Sequence, residues 1–222
     1  MSDIFREVDE ELRQDKLRAF WKQNGWLVIF AAVGIVLGVA GVRGWQAWER
    51  SQIGASGARY TEALELLEDD KREEGLAILD ELAADSYASY PVLARLRQAG
   101  ALAAAGENKA AVETYDAVAA DDGADEMLRG VARIRAAMIL VDSAGADEIK
   151  SRVGALADAE DGPWRHSARE LIALALYRAG DYAAADAEYD RVMGDPGVPV
   201  SLRGRAETMR ALIAPHLAGK AG

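Results

Sequence analysis

Two histidines, His166 and His216, and no cysteine stand in this chain of 222 residues, so any acid–base or nucleophilic chemistry would rest on them or on its 37 carboxylates. The histidines are too far apart in sequence to place two ligands on one helix face, as a helix-borne metal site requires. His166, beside Trp164 and Arg165, reads as an exposed residue at a helix start rather than as a general base. The acids Glu68, Asp69, Asp70, Glu73 and Glu74 cluster at a polar turn and a helix start, where negative charge complements the helix dipole. No phosphate loop, dinucleotide fingerprint or nucleophile elbow occurs. These residues call for no metal, no cofactor, no small-molecule substrate and no enzymatic activity.

Charge narrows the partners further. Met1 to Trp48 hold 6 Lys/Arg and 6 Asp/Glu, so the whole net charge of −11 lies beyond Trp48. Such a region is repelled by nucleic acid and by anionic headgroups, because attraction to either needs clustered Lys or Arg. The lack of cysteine is compatible with a reducing or an oxidising compartment.

The elements that position these groups begin with a membrane helix. Gln23 to Val42 carry no charge, and from Trp26 to Val42 (WLVIFAAVGIVLGVAGV) every residue is apolar or glycine. At about 1.5 Å per residue, twenty residues cover roughly 30 Å, one bilayer core. Phe20, Trp21 and Trp26 precede it and Trp45 and Trp48 follow, forming an interfacial belt on both sides. A cleaved signal peptide would have a short basic leader, whereas six acids lie in the 22 residues before this segment. Arg13, Lys16, Arg18 and Lys22 on the N-terminal side, against Arg43 and Arg50 on the other, predict a cytoplasmic N-terminus and a periplasmic C-terminal domain in a bacterial inner membrane.

Gly34 and Gly38 make a GxxxG step, near Gly41 and Gly44, that would admit a second helix; the frequency of glycine in membrane helices is the other reading. Upstream, Asp3 could cap a short helix bearing Ile4, Phe5, Val8 and Leu12, either interfacial, partner-docking or a solvated tail.

Beyond Ser51 the chain is rich in Ala, Leu, Glu, Asp and Arg, has no period-two stretch, and is expected to be all α-helical. Ala105 to Val118 (AGENKAAVETYDAV) matches Ala179 to Val192 (AGDYAAADAEYDRV): Gly106, Ala111, Tyr115 and Val118 align with Gly180, Ala185, Tyr189 and Val192. Ala99 and Leu102 align likewise with Ala173 and Leu176, so each unit reads as helix, glycine turn, helix. Glycine relieves the turn, alanine lets the paired helices approach, and tyrosine fills the space between units. This is the tetratricopeptide pattern. Two weaker units turn near Asp70, followed by Gly75, Leu79 and Leu82, and near Ala144, followed by Ile149, Val153 and Leu156. The first lacks a turn glycine, and Ile149 stands where a small residue is expected. The turns near 70, 106, 144 and 180 are 36, 38 and 36 residues apart, a little above the usual period of about 34.

Pro196 and Pro199 end the fourth unit, and Ser201 to Leu217 form a capping helix with Leu202, Met209, Leu212 and Ile213 available for packing. The expected architecture is all-α: a cytoplasmic tail (1–22), a transmembrane helix with its interfacial flank (23–48), and a tetratricopeptide-like helical-hairpin solenoid with a C-terminal cap (49–222). Its working surface would be the concave groove lined by the first helix of every unit. The register turns Leu93, Leu96, Gly100 and Ala103, and Glu170, Leu174, Tyr177 and Arg178, toward that groove, Tyr177 and Arg178 being the candidate partner contacts.

The stretch LRAFWKQNG from Leu17 to Gly25, the glycine-bearing span, GWQAW from Gly44 to Trp48 and the four degenerate repeats together resemble the tetratricopeptide-like ancillary subunit of the bacterial Sec translocon. The resemblance covers nearly the whole chain. It implies a single-span inner-membrane protein associated with translocon subunits and with periplasmic chaperones that receive emerging polypeptides, and it brings no catalytic motif. A general cell-envelope scaffold, in division or outer-membrane assembly, would use the same architecture.

Overall fold

The computed structural model describes the backbone of residues 2–218, and side chains at 18, 21–23 and 25–218. The side chains of Asp3, Ile4, Phe5, Val8, Leu12, Arg13, Lys16 and Phe20 therefore lie outside the described residues. The described chain is all helical: α1 (Ser2–Glu68), α2 (Arg72–Ala84), α3 (Tyr90–Ala104), α4 (Asn108–Ala119), α5 (Glu126–Leu140), α6 (Ala146–Asp158), α7 (Arg165–Arg178), α8 (Tyr182–Gly194) and α9 (Val200–Ala218). Where the sequence suggested a separate short helix before the span, one helix runs from Ser2 to Glu68. The chain has no proline before Pro91 to break it. Contacts divide the chain into two compact units, Met1–Gly54 and Ala55–Gly222.

In the first unit, α1 is long and apolar enough to cross a membrane, its best window having a mean hydropathy of 2.4. Its apolar side chains are exposed, Phe30 to 75% and Ile35 to 68%. Water would not tolerate a stripe of that extent uncovered.

In the second unit, the end of α1 packs through Tyr60, Ala63 and Leu67 on α2, and α3–α4, α5–α6 and α7–α8 form three further hairpins, with α9 closing the stack. The turns explain where the hairpins close. Gly106 and Gly180 adopt left-handed backbone (φ 78° and 80°). Each sits in a double bond pattern that satisfies the last free carbonyls of the preceding helix. Glu107 N–H donates to Leu102 O at 2.9 Å and Gly106 N–H to Ala103 O at 3.0 Å; Asp181 and Gly180 repeat this on Leu176 and Tyr177. In the first hairpin, which has no turn glycine, Asp70 takes the left-handed conformation (φ 60°), and Lys71 N–H bonds Leu66 O. Asp125 and Asp181 cap the next helices, their side chains accepting from Met127 N–H and Ala184 N–H.

Five residues after each turn the paired helices approach most closely. A Cβ on Gly75 would lie 2.9 Å from Leu67 Cγ and 3.0 Å from the Ala63 carbonyl oxygen. Ala111 and Ala185 are fully buried at the matching positions. Ile149 is also fully buried there, and α5–α6 is packed more sparsely than α3–α4 or α7–α8, since the larger side chain holds the helices apart. Leu156 is only partly buried, and Ala157 takes the core position beside it.

Tyr115 packs with Val92 and Ala99 of α3 and Ala132 and Ala136 of α5, so it wedges between its own hairpin and the next. Tyr189 does the same among Ala173, Leu202, Ala206 and Ile213. On α9, Leu202 and Ile213 are buried and Met209 packs against the same cluster, but Leu212 is 51% exposed, because a helix at the end of the stack buries only its inward stripe.

Gly180→Ala should lower the stability of the protein by about 1 kcal/mol through left-handed strain. Asp70→Gly should raise it by less, aspartate being among the residues that tolerate this conformation. Thermal unfolding of both variants followed by circular dichroism checks the pair.

Candidate functional site

The first helices of the units line two open depressions. Between α5, α7 and α9 lies a groove of about 870 Å³, with Ile134, Met138, Leu171, Leu174 and Met209 on its walls. Glu170 and Arg205 close its edge in a bidentate pair, Arg205 Nε to Glu170 Oε1 at 2.6 Å and Nη2 to Oε2 at 2.7 Å. Between α3 and α5 lies a second depression of about 360 Å³, lined by Leu93, Leu96, Arg97, Gly100, Val131 and Arg135, with Tyr60 and Tyr115 beside them. Val131, Ile134, Arg135 and Met138 recur along α5 at helical spacing, so one face of α5 borders both.

Leu93, Leu96, Gly100, Glu170 and Leu174 thus line this face, whereas Ala103 is partly buried and not among the lining residues. Tyr177 and Arg178 do not line it either. Arg178 gives its guanidinium to the backbone carbonyls of Asp142 and Ala144, satisfying the α5–α6 turn one period earlier. Tyr177 packs edge-on against Tyr182, at 5.4 Å, and Tyr182 stacks on His216, at 4.0 Å, in a small aromatic cluster joining α7, α8 and α9. Both residues sit in the last turn of α7, at the end of the stripe that faces the groove.

Other arginines also tie one unit to the next: Arg72 to Glu107 at 2.7 Å, and Arg152 to Asp116 at 2.6 Å. Arg97, Arg133 and Arg135 are the arginines from Arg59 onward that make no ion pair or hydrogen bond among the described residues, and two of the three face the groove. Burial pushes the Tyr115 phenol above its ordinary range, opposed by the positive charges of Arg135 and Arg97. Tyr60 is raised by burial as well, opposed by Arg97. Both phenols are neutral donors at physiological pH. Sequence reasoning missed Arg97 and Arg135, because nothing in a run such as ARLRQAG tells a paired arginine from an unpaired one.

His166 is corrected by the structure: it is buried, at 7% exposure, rather than exposed. The chain leaving α8 folds back over the start of α7 and brings Asp195 onto it. Asp195 Oδ2 accepts from Arg165 Nε at 2.7 Å and lies 2.9 Å from His166 Nε2, while Oδ1 accepts from Gly197 N–H at 2.7 Å. The Arg165 guanidinium first, then the Gly197 amide and His166, hold the Asp195 carboxyl well below the usual range. This cluster joins α7 to the turn before α9.

In the first unit, Trp21, Trp26, Trp45 and Trp48 are exposed by about half or more, and the Trp45 and Trp48 rings lie 5.2 Å apart. Nothing lies within 4 Å of a Cβ built on Gly34 or Gly38, so that stretch of surface is open.

A family model described as a tetratricopeptide repeat-like domain matches residues 18–198. Three curated proteins named ancillary SecYEG translocon subunit are similar to the chain. That of Haemophilus influenzae is 29% identical over 54% of this chain and 55% of its own length. That of Escherichia coli is 25% identical over 85% and 88%, and that of Aggregatibacter actinomycetemcomitans 26% identical over 86% and 91%. No solved structure matches the chain.

Because the Asp195 carboxyl is held down in the fold, its contribution to stability is present above the unfolded value of about 3.9 and is lost as pH falls through the lower folded value. Asp195→Asn should therefore depress the melting temperature at pH 5, and the gap from the parent should begin to narrow only below about pH 4, shrinking further as pH falls toward the depressed folded value. Melting curves of both proteins across that range would show it; a gap of constant size on both sides of about pH 4 would contradict the assignment.

Proposed function

The chain belongs to the tetratricopeptide repeat-like domain family, and we propose that it is a membrane-anchored, non-catalytic docking scaffold that associates with the Sec translocon and links it to periplasmic chaperones or emerging polypeptides. The observation that carries this reading is the order of parts. A helix able to cross a membrane precedes a repeat unit whose open face is a long groove of apolar walls and arginine edges. Two relatives aligned over 88% and 91% of their own length are named as translocon subunits.

A groove of this kind suits polypeptide. Its walls include Met138 and Met209, whose flexible thioethers fit varied apolar side chains. Extended chain laid across successive units meets alternating apolar and charged surface, which favours a polypeptide over a small molecule. The span contributes the other half of the function. Small residues at Gly34 and Gly38 would let a channel helix approach closely, and the belt of Trp21, Trp26, Trp45 and Trp48 would fix the depth of the helix. The basic side chains before the span favour a cytoplasmic N-terminus, with the repeat domain in the periplasm of an inner membrane.

Cross-linking of the full-length protein in native membranes, then purification in mild detergent, should recover translocon subunits and a periplasmic chaperone. Gly34→Leu with Gly38→Leu should lose the channel and keep the chaperone. Recovery of neither would sink the translocon assignment and leave a general envelope scaffold, for division or outer-membrane assembly.

The absence of native cysteine makes orientation directly measurable. In cells with a permeabilised outer membrane, an impermeant maleimide should label Lys109→Cys, at a site whose side chain is 93% exposed, and should label Ser2→Cys only after detergent. The opposite pattern would invert the topology.

A further inference from the structure

The groove is not uniform. Its α3–α5 end presents two cations in a domain that holds all the chain's surplus of acid, and none of the residues lining that end is a carboxylate. Acids on the neighbouring segments are engaged elsewhere: Asp80 accepts from Gln98, Asp121 pairs with Arg95 at 2.9 Å, and Asp122 with Arg129 at 3.1 Å. Arginines in the repeat unit are otherwise nearly all held by carboxylates or backbone carbonyls, so leaving Arg97 and Arg135 unmatched on the working face is an exception to the chain's own rule. The Arg97 Nε is buried with no hydrogen-bond partner, so the stem of the side chain is held in the protein while the residue still lines the groove.

We propose that Arg97 and Arg135, with the phenols of Tyr60 and Tyr115, form a carboxylate-binding subsite, and that the occupant of the groove is an extended polypeptide segment of the partner carrying acidic side chains next to apolar ones. This rests on the reading of the groove as a protein-docking surface and deepens it. Guanidinium forks match carboxylates with two parallel hydrogen bonds, and neutral phenols add donors. The α5 face carries the occupant onward: past Arg135, Ile134 and Met138 open onto the apolar walls at Leu171, Leu174 and Met209. Adjacency of cationic and apolar stretches is what separates a peptide from a small anion, which would fill the first and leave the second bare. The acidic charge of the remaining surface repels an acidic segment everywhere else, so complementarity also fixes where it lands.

The test uses full-length protein in nanodiscs of zwitterionic lipid and two rhodamine-labelled ten-residue peptides, one alternating leucine with glutamate, the other leucine with glutamine. Fluorescence anisotropy should show the glutamate peptide bound about tenfold more tightly, the difference shrinking with added salt. Arg97→Gln with Arg135→Gln should abolish the preference without lowering the melting temperature and without weakening the glutamine peptide. The matching double lysine variant should retain it. Equal binding of both peptides, unchanged by the arginine substitutions, would overturn the carboxylate subsite and leave the docking groove standing. Binding of neither peptide, in a protein that still recovers its partners by cross-linking in membranes, would overturn the subsite and move docking to another surface without touching the translocon assignment.

Discussion

Three of the four hairpins of the repeat unit close on a small residue, and the helix separation set there governs how the whole stack is built. Two helices can meet at Gly75, Ala111 or Ala185 only because no side chain larger than a methyl intervenes. The approach brings the residue four positions on, Leu79, Tyr115 or Tyr189, into the space between one hairpin and the next. Tyrosine is large enough to touch three helices at once, so the close contact within a unit fixes the stacking between units. Val153 is smaller, and it comes after Ile149, the one large residue at the closing position. The core there is built instead from Leu171, Ile172 and Ala175 of the next unit, so the third hairpin depends on its successor more than the others do.

Stacking of this kind consumes the second helix of every hairpin and leaves the first helices with a free face, which is why the open groove is lined almost wholly by α3, α5, α7 and α9. Ion pairs at one repeat period brace it. Arg72, Arg152, Arg178 and Arg205 each reach a neighbouring unit, to Glu107, Asp116, the Asp142 and Ala144 carbonyls, and Glu170. Exposed pairs of this kind contribute little to stability one at a time. Repeated along the stack, Arg72 reaching forward and the other three back, they set register. Arg97, Arg133 and Arg135 make no such brace, and of these Arg97 and Arg135 line the groove.

The hairpin turns near 70, 106, 144 and 180 are legible in the sequence because two of the three that take left-handed backbone place glycine there, and because period alone carries the other two. Asp70 shows the limit of the glycine rule, since an aspartate fills the same conformation. The loose third hairpin can be read from Ile149 by volume. The far end of a long side chain cannot be read in this way. Register gives the direction of a Cβ, and it turns Arg178 toward the groove, but an arginine in a last turn reaches back along the helix axis to the orphan carbonyls of a turn one unit away. His166 escapes sequence reasoning for a related reason. Its burial comes from Asp195, which lies 29 residues later and is folded over it by the turn at Pro196, a tertiary closure with no local signal.

The uneven distribution of charge obeys the same division of surfaces. A solenoid exposes much backbone and side chain for its core, and acids on helix starts and turns keep it soluble while complementing the helix dipoles. Acid on the working face would repel an acidic occupant, and base on the outer faces would draw the domain to anionic headgroups. A domain with a net surplus of carboxylate, none of it among the residues lining the α3–α5 end of the groove, avoids both. It also makes binding there selective by position: any acidic, apolar stretch is turned away by most of the surface, and only along the α5 face do a cation pair and an apolar wall lie within one extended segment's reach.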